Sequence, residues 1–78
     1  MEFNFSQSAR KHRIGKARAV FVIESTQPIQ VDGFADKPDR LVWVGPDDRG
    51  LILEIEALIL LDCILVIHVM PYRFRKGK

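Results

Sequence analysis

Cysteine is nearly absent from this 78-residue chain, with Cys63 standing alone. One thiol cannot close an internal disulfide, and it argues against a cysteine-based zinc site. Between two apolar runs, Cys63 reads as a small apolar residue at a turn rather than a reactive thiol. Histidine is equally scarce. His12 and His68 lie 56 positions apart with no carboxylates at ligand spacing beside them, so there is no metal signature and no cofactor is expected. No glycine-rich loop follows a strand, which removes the usual phosphate cradle, and nothing frames a serine or cysteine nucleophile. The opening residues, MEFNFSQSARKHR, contain no apolar h-region, so no signal peptide is expected. These absences together read as a reduced, cytoplasmic protein.

One long apolar run is present, residues 51–70, but Glu54, Glu56, Asp62 and His68 interrupt it. A carboxylate at the centre of a bilayer costs roughly 2.5–3.5 kcal/mol on insertion scales, so a membrane span is rejected. The length allows one small domain, residues 1–78, ending in a basic tail over 71–78. The net charge of +2 conceals an asymmetry. Arg10, Lys11, Arg13, Lys16 and Arg18 face only Glu2 in the first 18 residues, and Arg73, Arg75, Lys76 and Lys78 close the chain with no acid. Nine carboxylates fill the span from Glu24 to Asp62. Basic ends on an acidic body fit a polyanion partner if the ends meet in space, and ordinary solubility if they do not.

The segment Arg40–Met70 organises the chain. GPDDRG, Gly45 to Gly50, combines a fixed φ at Pro46, side-chain turn acceptors at Asp47 and Asp48, and freedom for positive φ at Gly50. Asp62-Cys63 makes a second break. Three consecutive antiparallel strands follow from this, at 40–45, 50–61 and 64–70. In the middle one, Leu51, Leu53, Ile55, Ala57, Ile59 and Leu61 form an apolar face, while Glu54 and Glu56 share a mixed, partly wet face with Ile52, Leu58 and Leu60. A helix over the same residues would have no clean polar stripe.

Upstream, Met1, Phe3 and Phe5 alternate with Glu2 and Asn4 as in a short edge strand. Ser6 or Ser8 suits the cap of a helical turn reaching Arg13. KARAVFVIES, Lys16 to Ser25, has helical spacing through Ile14, Ala17, Val20, Phe21 and Glu24, broadened by Ala19, Val22 and Ile23. Pro28 ends it, Ile29–Val31 is a brief strand, and DGFADKPD is a loop. The order predicts an α+β fold, with one or two N-terminal helices packed on one face of a small antiparallel sheet and the other face free for a partner.

Three features invite chemistry. Arg10-Lys11-His12-Arg13, with Lys16 nearby, suits phosphate contact, and His12 is of the side-chain type that shuttles protons in catalysis; the same residues would equally form a solvated basic face. His68, in VIHVM, would serve as general acid or base if the open face is the site, or else is a satisfied packing residue. Tyr72-Arg73-Phe74-Arg75-Lys76 interleaves rings with cations, a pattern suited to stacking on RNA bases and clamping phosphate, or to a plain basic tail.

Lys11-His12, AxxVF at Ala17–Phe21, RLVWVG at Arg40–Gly45, DxRG at Asp47–Gly50, and a last strand running into an arginine-bearing tail together resemble the BrnT-type toxins of the RelE/ParE superfamily. The resemblance covers most of the chain. It implies the RelE/ParE-like arrangement and a toxin of a bacterial type II toxin–antitoxin system, a metal-independent ribonuclease that arrests growth. It further implies a cognate antitoxin, encoded nearby, that covers the open sheet face. Lys11, His12, Arg73 and Arg75 carry over as candidate catalytic residues, to which chemistry adds His68 and Tyr72. Arg10, Arg13, Lys16 and Lys76 are candidate RNA contacts. Relative to that family the helical region before the sheet is short, and Pro71 stands where an arginine-led helix usually follows it. The alternative is a non-catalytic interaction module that binds a partner, or forms a homodimer, through its sheet.

Overall fold

In the computed structural model of the chain, residues 2–72 are described. Strand β1 (Glu2–Phe5) leads into a 3-10 turn, η1 (Ser8–Arg10), and helix α1 (Lys16–Ser25). Strands β2 (Ile29–Val31), β3 (Arg40–Pro46), β4 (Ile52–Ile59) and β5 (Cys63–Pro71) follow. They build one five-stranded sheet in the order β1-β5-β4-β3-β2. The last four strands form an antiparallel meander, as expected, while β1 pairs in parallel with β5, from Glu2 opposite Cys63 to Phe5 opposite Val66. The α+β class holds, with one helix packed on a mostly antiparallel sheet.

Alternation in the strands sorts side chains onto two faces. On the helix side, Trp43 stands opposite Ile55 and Ile55 opposite Val69, while Leu41, Ala57, Val66 and Phe5 form the next cross-strand row. Leu53, Ile55, Ala57, Val66, Val69 and Trp43 are buried there with Ala9, Ala19 and Val22. Phe3 leans on Trp43 with ring centroids 6.2 Å apart. Each fully buried Leu, Ile or Val contributes roughly 1.5–3 kcal/mol, so these rows dominate the fold's stability.

Helix α1 spans the predicted residues but turns a different face inward. Ala19 and Val22 are buried, and Phe21 is 43% exposed. Ala17, placed by spacing on the inner stripe, is exposed. The rotation brings Arg18 over the β3–β4 turn, where its Nη2 lies 2.6 Å and its Nε 2.8 Å from Asp47 Oδ2. Asp47 Oδ1 accepts the backbone N–H of Arg49 at 2.8 Å and of Leu51 at 2.9 Å. Gly50 completes the turn at φ +87°, a value that side chains with a Cβ rarely adopt. At the helix's other end, Thr26 is extended (φ −127°, ψ 139°) and packs so closely on Gly45 that a Cβ there would collide with its side chain.

Three expectations need correction. Strand β4 stops at Ile59 rather than 61, because Leu60 and Leu61 turn the chain toward β5, with Leu60 N–H donating to Cys63 O at 2.9 Å. Leu61, expected in the core, is fully exposed there. Glu54, expected on a partly wet face, is only 4% exposed. The turn before α1 is also shorter than predicted, since helical geometry covers Ser8–Arg10 and ends before Arg13, which takes φ 59°. Ser6 Oγ does accept an N–H there, from Ala9 at 3.3 Å.

Candidate functional site

The face of the sheet away from α1 is mostly apolar. Val42 and Val44 of β3, Ile52 and Leu58 of β4, and Leu65 and Met70 of β5 belong to it. Glu56 of β4 and His68 of β5 stand opposite each other across its middle, and Glu54 lies on the same face. Arg40, at the start of β3, reaches Glu56 diagonally, its Nη1 3.7 Å from Glu56 Oε1.

His68 reaches this face through a β-bulge. Ala57 pairs with Val66 and the next residue back, Glu56, pairs with His68, so Ile67 is an extra residue in β5. Were Ile67 paired regularly, alternation from Val66 would send His68 into the core and Val69 outward. The bulge keeps Val66 and Val69 both buried and turns the imidazole over. The carbonyl of Ile67 accepts a hydrogen bond from Ser8 Oγ at 2.8 Å, which ties η1 to the irregularity. His68 Nε2 is shielded from solvent with no hydrogen-bond partner. A buried donor or acceptor left this way costs free energy, and such atoms gather where a ligand or a reaction uses them.

The basic residues from the N-terminal segment lie elsewhere. Arg10 ends η1, Lys11 and Arg13 are exposed in the turn that follows, and His12 is half-buried between them. Ala9 anchors this segment in the core on the helix side, whereas His68 faces the opposite way, so the two histidines do not share a face. Lys16 opens α1 with its Nζ 5.3 Å from the centroid of the Phe5 ring. Tyr72 is half-buried just past β5. Arg73, Arg75 and Lys76 lie outside the described residues.

Topology nonetheless brings Arg10–Arg13 to the end of the sheet where the described chain finishes. Because β1 runs parallel to β5, the chain leaves β1 into η1 and Arg10–Arg13 at the same end where β5 finishes at Pro71 and hands over to Tyr72. Sequence reasoning missed Glu56 and Arg40 as companions of His68. Their link depends on the β4–β5 register and on the bulge, and alternation alone misplaces both sides of an inserted residue.

Among the described residues no group of three or more His, Cys, Asp or Glu side chains is placed to hold a metal ion, and no helix is long and apolar enough to cross a membrane. The acidity of Asp47 is displaced. Burial pushes its carboxyl up, but the Arg18 hydrogen bond, the N–H groups of Arg49 and Leu51, and the Arg18 charge outweigh that and hold it below the ordinary 3.8. Its bonds are structural and remote from His68. No protein-family model, curated protein or solved structure matches this chain.

Proposed function

We propose that this chain is the toxin of a type II toxin–antitoxin pair, a metal-independent ribonuclease that arrests growth by cutting RNA. The observation that carries the reading is His68, whose shielded Nε2 has no hydrogen-bond partner and which a bulge sets opposite Glu56 on the face away from α1. Cleavage of RNA without a metal needs a base to take the ribose 2′-OH proton while the 2′-oxygen attacks phosphorus. It also needs an acid to protonate the departing 5′-oxygen and cations to hold the charge of the in-line transition state. His68 supplies the base, with the Glu56 side chain opposite it across the strand pair. Arg73 and Arg75 supply the cations, and Tyr72 the acid. Lys11, Arg10, Arg13, Lys16 and Lys76 draw the polyanion to that end of the sheet. The sequence resemblance points the same way, and an antitoxin would cover the apolar frame of this face.

The test is induction of the chain in a bacterial host, beside His68→Ala and the double variant Arg73→Ala/Arg75→Ala, with growth and total RNA followed. Arrest with RNA loss, relieved by both variants and reproduced by purified protein in a chelator, is the expected result. Intact RNA with the purified wild type at low salt would end the reading.

A second reading, a non-catalytic interaction module, is favoured by the exposure of Ile29 (67%), Val44 (41%) and Ile52 (40%) on this face. It predicts self-association that Ile52→Glu abolishes. A wild type that stays monomeric at high concentration would count against the self-associating form.

A further inference from the structure

A pocket of about 440 Å³ opens at the end of the sheet opposite Arg10–Arg13, where the loop after β2 folds over the start of β3 and the end of β4. Its walls include Asp32, Phe34, Lys37, Arg40 and Leu58. The loop is held in place by Asp39. One carboxylate oxygen accepts the N–H of Gly33 at 2.6 Å, the other accepts from Gln30 Nε2 at 3.2 Å, and the Asp39 carbonyl accepts the N–H of Ile59 at 2.9 Å. A turn closes within it, Lys37 N–H to Phe34 O at 3.1 Å, and Ala35 sits at φ 59°. This tied-down loop presents Phe34 to solvent, 84% exposed. A ring of that size so placed contributes almost nothing to folding.

We propose that this pocket binds an unstacked RNA base and its phosphate, a substrate subsite for the ribonuclease reading, on which it rests. The ring of Phe34 offers a stacking platform that any base can use. Lys37 and Arg40 stand beside it for phosphate, and Asp32 is an acceptor for a base amino group. The charged wall residues sum to one positive charge, in favour of an anionic strand. Arg40 links the pocket to the Glu56–His68 pair, since it lines the one and reaches Glu56 in the other. A 3.7 Å ion pair on a half-exposed side chain is weak, so the guanidinium is available to phosphate. A strand entering at the basic end would cross the open face over His68 and finish with a base on Phe34. The pocket thus holds one nucleotide of the strand at a distance from the cut.

The test is fluorescence anisotropy with a short labelled single-stranded 2′-O-methyl RNA, which lacks the attacking hydroxyl and stays intact, alongside cleavage of ordinary RNA. Phe34→Ala weakens binding by roughly 5- to 150-fold, the range for loss of one stacked base, and Phe34→Tyr restores it. Lys37→Ala weakens binding and lowers the salt slope by about 1. If Phe34→Ala and Lys37→Ala bind like a wild type that cuts RNA, the subsite is wrong and the ribonuclease reading stands. If the wild type neither binds the probe nor cuts RNA, both fall. If Phe34→Ala leaves RNA binding intact and abolishes only self-association, Phe34 is a protein contact and the subsite is overturned.

Discussion

Arg18 and Asp47, 29 positions apart, join the helix to the sheet, the guanidinium closing on one carboxylate oxygen with two nitrogens. The other oxygen is left for two backbone N–H groups of the β3–β4 turn. The Asp47 side chain is wholly buried, so all of its lone pairs must be met from within the protein. Removing either partner leaves a charge without its complement, the costly way to break such a pair.

Asp47→Ala is accordingly expected to lower the thermal midpoint by on the order of 10 °C in a domain of this size. The pH dependence has a definite sign. A carboxyl held below its ordinary 3.8 stabilises the fold above that value, and the contribution fades as pH falls through the lower folded value. Melting wild type and Asp47→Asn from pH 7 down to strong acid should show two midpoints that are far apart at neutral pH and converge in acid. A gap independent of pH would show that the ion pair is not the source.

His68→Leu separates activity from stability. The imidazole nitrogen has no partner, so an apolar replacement should leave stability unchanged or raise it by up to about 1 kcal/mol. On the ribonuclease reading proposed above, RNA cleavage should fall by about 10²–10⁴-fold, the usual contribution of a general base. Parallel melting and cleavage assays check both halves.

The bulge supplies a third test. Ser8→Ala removes the donor to the Ile67 carbonyl and is expected to cost at most about 1 kcal/mol, or about 4–8 °C. Deleting Ile67 takes out the extra residue, so plain alternation keeps Val66 and Val69 inward and His68 outward, and the fold is expected to survive with β5 paired regularly to β4. Trp43, the chain's single tryptophan and 2% exposed, reports both by its emission on unfolding in denaturant.

Gly45→Ala is expected to destabilise by about 1–3 kcal/mol, since the new methyl meets the Thr26 side chain beneath the end of α1. Thr26→Ser, which trims that side chain, should recover part of the loss when combined with it. A denaturant titration of the three variants measures the recovery.

Most of the architecture was legible because it rests on patterns of short period. Strict alternation through Leu53, Ile55 and Ala57 fixed the inner face of β4, and Pro28 with the GPDDRG turn marked boundaries that the backbone respects. What escaped notice came from features that no local pattern carries. The rotation of α1 is dictated by Arg18 meeting Asp47, and spacing within the helix favoured Ala17 and Phe21 instead. The pairing of β1 with β5 joins segments some sixty residues apart, for example Phe3 with Ile64. His68 was legible as a candidate, but its neighbours were not, since Ile67 shifts the register by one. Phe34 went unremarked inside a loop read only for its turn residues.

The parallel pairing of β1 with β5 also orders events in time. The edge strand Glu2–Phe5 is synthesised early, yet its partner, Cys63–Val66, appears only after the helix and three other strands. Until then Phe3 and Phe5 have no strand to pair with, and the Trp43 ring lacks the neighbour that leans on it. Local hairpins can close as they emerge, but this long-range pairing is slow to form because loop closure comes before its reward. The protein therefore completes its sheet, and seats Ser8 against the bulge that positions His68, only after β5 has been made. A nascent chain lacks the finished sheet face until synthesis has reached that strand.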